Sequence, residues 1–242
     1  MAQGLVLTLL GGALLRVSAF STIYLNYVKP GFRVPLVAAG LVLFALGVLG
    51  LVQEWRRPYV ASDRDKAGHD HKAGRPHGPW VAWLLCLPVV AVFLISPPAL
   101  GSFAASRDET PQPRPAAAPA GYGALAGDRA TAMPLGEFIG RAWGDESRTL
   151  AGRQVRLTGF AAPSKKKGQW YLTRMRLLCC AADAIPLKVA VLGLPAPRPD
   201  TWVEVTGGWV PTPYDQLPKG TVAPELRATG LTKVDRPAEP YE

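Results

Sequence analysis

Two adjacent cysteines and an aspartate form the segment whose residue types most clearly suggest chemistry. Cys179, Cys180 and Asp183 lie within CCAADAIP. Neighbouring side chains on a regular strand point to opposite faces, so both thiols reach one ligand only where the strand ends or bulges. Thiolates beside a carboxylate suit a thiophilic divalent ion such as zinc. Because these three ligands leave a position open and no histidine follows residue 77, the sequence predicts an open or transient metal site.

Two other interpretations of the cysteine pair remain open. An oxidising exterior favours a vicinal disulfide or redox chemistry, although bridging adjacent residues strains the peptide. Alternatively, both thiols are free and pack as small hydrophobic side chains. Cys86, the third cysteine, lies within an apolar stretch, where we expect packing or contact with lipid.

A second, weaker metal hypothesis concerns the histidines. His69, His71 and His77 lie in GHDHKAGRPHG, and the first two flank Asp70. Imidazoles near a carboxylate can bind cations, but without a fixed scaffold the affinity would be modest. The alternative is a flexible polar loop that contains a few histidines.

The elements that must position these residues begin with three long apolar stretches. The chain has 242 residues, 48% of them hydrophobic and 19% charged. Apolar stretches cover about 5–28, 34–52 and 80–100. Each approaches the roughly 20 residues that a spanning helix needs. We therefore expect a multi-pass membrane region over 1–105, which excludes a single soluble globule.

The charges of the loops predict the orientation in the membrane. The loop 53–79 contains six Lys and Arg residues, and basic residues in short loops favour the cytoplasm. This places the N-terminus in the cytoplasm and everything after the third span outside. The first stretch could instead be a cleaved signal peptide, but it has no basic residues before the apolar run and no clear cleavage site.

Arg16 is the one charge inside a predicted span. A guanidinium in lipid is costly, so we expect it to face other helices, water or a partner protein. The alternative is that the side chain snorkels to the headgroups.

A linker and a β domain follow the third span. Residues 106–133 are rich in Pro and Ala and predict an extended tether. Helical spacing predicts a short helix from Pro134 to about Gly144, and period-two patterns predict five strands. We therefore expect 134–242 to form an OB-like five-stranded barrel, with a small sandwich as the alternative. The predicted strands begin at Val155, Trp170, Leu187, Trp202 and Leu226.

The residue types argue against nucleic-acid binding and catalysis. The residues after 100 contain 18 basic and 14 acidic side chains, a net charge of only +4, and the predicted topology places them outside the cell. Phosphate-binding loops, nucleophile elbows and HExxH are absent from the sequence. We therefore expect a protein that is not an enzyme.

Several segments together resemble the YcgQ-like family of bacterial membrane proteins, described as two-component permease subunits. They are PPALGSFAASR, GRQVRLTGF, WYLTRMRLLCCAADAIPLKV, DTWVEVTGGW and the terminal PYE. The resemblance implies location in a bacterial cell membrane, a larger partner permease of the YcgR type and a link to zinc homeostasis. It also implies that the family's Cys-Cys and Asp correspond to Cys179, Cys180 and Asp183, whereas the histidine loop has no counterpart.

The leading hypothesis is therefore an accessory subunit of a permease, embedded in lipid, whose outer domain binds an ion or substrate. The alternatives are a membrane-anchored thiol/disulfide protein and an OB-like ligand-binding module with no role in transport.

Overall fold

The structure is a computed structural model that describes residues 2–56, 98–107, 121–125, 129–212, 214–216 and 221–242. The chain divides into two compact units. The helical unit comprises Met1–Tyr24 and Pro30–Pro98, and the barrel unit comprises Leu25–Lys29 and Ala99–Glu242.

Two helices of the helical unit, α1 (Ala2–Ala19) and α2 (Arg33–Arg56), pack closely against each other. Gly11 and Gly47 lie in the contact, where an added Cβ would collide with the main chain of the facing helix. Small residues that let two backbones approach are typical of helix pairs in membranes.

The outer surfaces of this helix pair are apolar. Among the described residues, one helix, Pro30–Arg56, is long and apolar enough to cross a membrane, and Gln3–Ala19 is a shorter apolar helix. Side chains that point away from the helix contact are large and hydrophobic, as a lipid-facing surface would be. They include Leu5, Leu9, Leu41, Val42, Leu46 and Leu49.

The first helix is shorter than the stretch 5–28 that we predicted. It ends at Ala19, where the Arg33 guanidinium donates to the carbonyls of Ser18 and Ala19, each over 3.2 Å. A cation that bonds the last carbonyls of a helix stabilises its C-terminus. The second predicted stretch, 34–52, lies within the helix α2, and the third, at 80–100, lies almost entirely outside the described residues.

Five strands of the barrel unit close into a barrel, which decides between the barrel and the sandwich. Their order is β2-β3-β4-β6-β5, and β5 pairs back onto β2. All neighbours are antiparallel except β4 and β6, an arrangement consistent with an OB-like fold. The strands are β2 (Gln154–Ala162), β3 (Gln169–Arg176), β4 (Ile185–Leu192), β5 (Trp202–Val210) and β6 (Glu225–Lys233). A two-residue strand, β1 (Thr131–Ala132), adds to β2 in parallel.

Alternate residues of the strands fill the barrel interior. Trp170 and Leu172 of β3 point into the core, with Val189 and Val191 of β4, and all four are almost completely buried. The helix α4 (Leu135–Gly144) closes this core with an apolar face that includes the fully buried Phe138.

The tail of the chain caps this helix. The Glu242 carboxylate accepts the backbone N–H groups of Leu135 and Gly136, each over 2.9 Å. These N–H groups have no partner within the helix, and a negative charge is favourable at this end. The C-terminal residue thus holds α4 against the barrel.

A second apolar cluster lies on the opposite face of the same strands. Phe160, Tyr171 and Met175 point away from the barrel interior and pack beneath the short helix α3 (Ser102–Arg107). The Asp200 carboxylate fixes the start of α3 by accepting both the N–H and the hydroxyl of Ser102. The outer face of the barrel is therefore covered by the chain itself.

Candidate metal centre

The turn between β3 and β4 brings the three predicted ligands together. β3 ends at Arg176, before the two cysteines, and a single 3-10 turn, Ala181–Asp183, precedes β4. Because Cys179 and Cys180 lie outside the regular strand, their side chains need not point to opposite faces. The two sulfurs and an Asp183 oxygen all lie within 4.8 Å of one another. We call residues 178–183 the cysteine turn.

Asp183 determines the shape of the cysteine turn. Its carboxylate accepts the backbone N–H of Leu178 over 2.9 Å, that of Cys179 over 2.8 Å and that of Cys180 over 3.3 Å. Three N–H groups that leave the sheet are thus satisfied by one side chain, as in other aspartate-capped turns. The sequence suggested Asp183 as a ligand and gave no indication of this second role.

The same carboxylate controls the protonation of Cys179. A hydrogen bond from the Cys179 thiol to Asp183, with a second contribution from Cys180, raises the pKa of Cys179 to about 11. The reciprocal effect lowers the pKa of Asp183, with the Cys179 hydrogen bond as its largest cause and the backbone N–H groups adding to it. Cys179 is therefore a neutral thiol at pH 7, which makes it a poor nucleophile for thiol exchange.

The donor set suits a thiophilic ion. Two sulfurs bound to a tetrahedral zinc, with Zn–S of about 2.3 Å, lie about 3.8 Å apart, so only a small adjustment of the turn is needed. A carboxylate offers about four lone-pair positions, and Asp183 can therefore bind a cation while it keeps backbone contacts. A metal would have to displace the proton of Cys179.

The cysteine turn is open to solvent on one side. Cys179 is exposed, and the adjacent Leu178 is 64% exposed. An ion or a protein partner can therefore reach the Cys179 thiol directly.

On its other side the cysteine turn pairs with the segment Leu25–Lys29, which we call the connector. The connector runs between α1 and α2 and belongs to the barrel unit. Lys29 N–H donates to the Cys179 carbonyl over 3.3 Å, and Ala181 N–H donates to the Tyr27 carbonyl over 2.7 Å. Val28 and Cys180 form an antiparallel bridge between them. Sequence reasoning missed this pairing, because nothing local connects residues 150 positions apart.

The chain's tail holds the connector in place. The Tyr241 hydroxyl donates to the Asn26 carbonyl over 2.8 Å and accepts the Leu100 N–H over 2.9 Å. The Arg236 guanidinium donates to the side chain of Asn26. Tyr241 of the PYE segment therefore stabilises the connector, which in turn pairs with the cysteine turn.

Of the remaining predicted residues, the structure describes Arg16. Arg16 lies in the last turn of α1 and is exposed, a position from which its side chain can snorkel. His69, His71, His77 and Cys86 lie at 57–97, outside the described residues.

The family comparison covers most of the barrel unit. Residues 144–242 match the family called the DUF1980 C-terminal domain. No curated protein matches the chain. A crystal structure assigned to an aspartyl-tRNA synthetase from Leishmania major Friedlin is similar over 49% of this chain and 23% of its own, with 12% identity and a TM-score of 0.26. A similarity this low supports no conclusion about fold or function, and the chain spans under a quarter of that protein.

Proposed function

We propose that this chain is an accessory subunit of a membrane permease of the YcgR type, and that its barrel unit binds a thiophilic divalent ion, zinc first. The observation that supports the metal site is the cysteine turn, where two thiols and a carboxylate meet at a partly exposed position. The partner permease and the link to zinc rest on the resemblance to the YcgQ-like family.

The helical unit supports anchoring in a bacterial cell membrane. α2 has the length and composition of a span, and close packing against α1 through glycines leaves apolar side chains facing outward. A membrane bilayer is the environment that would bury this surface.

The proposed topology is supported by the two chain segments that make up the barrel unit. Three spans with a cytoplasmic N-terminus would place the connector and all residues after the third span outside the cytoplasm. The connector and Ala99–Glu242 do form one compact unit, which requires that they lie on the same side of the membrane.

The need for a partner follows from the helical unit itself. α1 and α2 contact each other closely through glycine, and the charge of Arg16 lies near a helix end. Among the described residues of this unit, neither arrangement offers a polar path through a bilayer, which ion transport requires. A larger protein would therefore have to supply that path.

The alternatives fit the structure less well. A thiol oxidoreductase needs a reactive thiolate, whereas the pKa of Cys179 is raised to about 11. Many OB barrels bind polymers on the face of their second and third strands, and here α3 covers that face at Tyr171. Nucleic acid is also disfavoured by the net charge of only +4 after residue 100.

Metal analysis of the purified full chain in detergent tests the site. We expect bound zinc in the wild type and in the control variant Cys86→Ser, and its loss in Cys179→Ser/Cys180→Ser. Replacing His69, His71 and His77 by alanine separates the two metal hypotheses, because zinc should be retained. Equal, low zinc in the wild type and the double variant would remove the metal assignment.

Affinity purification from native membranes tests the partner. Recovery of a permease with the chain would support the accessory role, and recovery of the chain alone would count against it. A reporter fused after Glu242 tests the topology, since activity in the cytoplasm would invert the proposed orientation.

A further inference from the structure

The connector and the cysteine turn share main-chain hydrogen bonds, so a change in one must alter the other. Lys29 N–H and Ala181 N–H donate across the junction in opposite directions, and Val28 bridges to Cys180 between them. The junction is thus a short antiparallel ladder with both proposed sulfur ligands in one of its strands.

The residue that shapes the cysteine turn is itself one of the proposed ligands. Asp183 holds the N–H groups of Leu178, Cys179 and Cys180. A cation that binds Asp183 and both sulfurs would fix three side chains within six residues on one centre. Metal binding would therefore reduce the conformational freedom of the cysteine turn, which pairs with the connector.

We infer that metal occupancy of the cysteine turn is coupled to the conformation of the connector. The inference rests on the proposed function, because it needs an ion to bind at Cys179, Cys180 and Asp183. Ion binding strengthens the ladder, and a stronger ladder increases the affinity for the ion by the same factor, as linkage requires.

The coupling has an evident route to the rest of the chain. Lys29 is followed directly by Pro30, the first residue of the candidate span Pro30–Arg56. Metal occupancy therefore changes how firmly the connector, which directly precedes that helix, is held. The site would then report the presence of metal to the membrane region of the chain.

Amide hydrogen exchange of the full chain in detergent, with and without zinc, tests the coupling. We expect exchange at Lys29 and Ala181 to slow about fivefold or more with zinc, the lower end of typical coupling between sites. Amides of β2, Gln154–Ala162, serve as the internal control and should not change.

The reciprocal measurement uses a residue that is not a ligand. Tyr241→Phe removes the hydroxyl that donates to Asn26 and accepts the N–H of Leu100, and it should weaken zinc binding about fivefold. Tyr122→Phe is the matched control, since Tyr122 lies against α4, and it should leave the affinity unchanged.

The outcomes separate the inference from the proposed function. If zinc binds stoichiometrically but exchange at Lys29 and Ala181 is unaltered, the coupling is wrong and the metal site stands. If zinc does not bind the wild type, the proposed function fails and the coupling fails with it. Slowed exchange together with weaker binding by Tyr241→Phe would establish the coupling.

Discussion

Replacing Asp183 by asparagine should make Cys179 more reactive. The amide oxygen can accept the N–H of Leu178 or that of Cys179, which bond to different carboxylate oxygens in the wild type, so the cysteine turn should lose one of these two hydrogen bonds and keep the other. The negative charge that binds the thiol proton is lost as well. Since the hydrogen bond to Asp183 is the largest cause of the raised pKa of Cys179, the pKa of this thiol should fall toward its ordinary value of 9.0.

The size of the effect follows from the two pKa values. At pH 8 a thiol with a pKa of about 11 is ionised in about one molecule in a thousand, and one with a pKa of 9.0 in about one in eleven. The thiolate of lower pKa is less nucleophilic, by about eightfold over this range. Because Cys180 also contributes to the rise, about tenfold is the upper limit, and alkylation should accelerate about threefold if Asp183 accounts for half of the rise.

The assay is the rate of iodoacetamide alkylation of the full chain from pH 7 to 10. Cys86→Ser and Cys180→Ala in both proteins leave Cys179 as the single thiol. Asp235→Asn is the matched control, because it removes one exposed carboxylate of the same unit. Identical pH profiles for the Asp183→Asn variant and its parent would refute the assignment of the Cys179 pKa to Asp183.

Three further predictions concern metal binding and stability. Apparent zinc affinity should rise at least tenfold per pH unit between pH 6 and 8, because the metal must displace the proton of Cys179, whose pKa is about 11. A flat pH profile in titration calorimetry would contradict this. Phe138→Ala should destabilise the barrel unit by about 3–5 kcal/mol in thermal unfolding, because Phe138 is fully buried. The control Phe103→Ala, at a position that is 74% exposed, should have little effect. Glu242→Ala should lower the free energy of unfolding by about 1 kcal/mol, because the α4 cap is lost. An equal loss of stability in the exposed control Glu239→Ala would contradict this explanation.

The strands of the barrel could be predicted because their information is local. Alternation in Val155–Gly159 and Trp202–Trp209 marks a buried and an exposed face, and β2 and β5 contain these stretches. Closure of the barrel could not be predicted in the same way. It depends on pairing between β2 and β5, which are separated by two other strands, and periodicity within one strand contains no information about its neighbour.

The candidate site was predictable only in part. The residue types of Cys179, Cys180 and Asp183 suggested a cluster, on the condition that the strand ended or bulged at the cysteines, and β3 does end before them. The supporting contacts from the connector and from Tyr241 were not predictable, because they join segments that are far apart in sequence. The early end of α1 likewise depends on Arg33, whose side chain reaches back 14 and 15 positions.

The cover over the outer face of the barrel determines where this protein can be divided. The family match begins at residue 144, but a recombinant fragment cut there would lose α4 before Gly144 and all of α3. Phe160, Tyr171 and Met175 would then be stripped of the helix that shields them, and a contiguous apolar patch of this kind promotes aggregation. A fragment that keeps both helices should therefore begin near Ala99, where the barrel unit resumes after the helical unit, and it lacks only the connector of that unit.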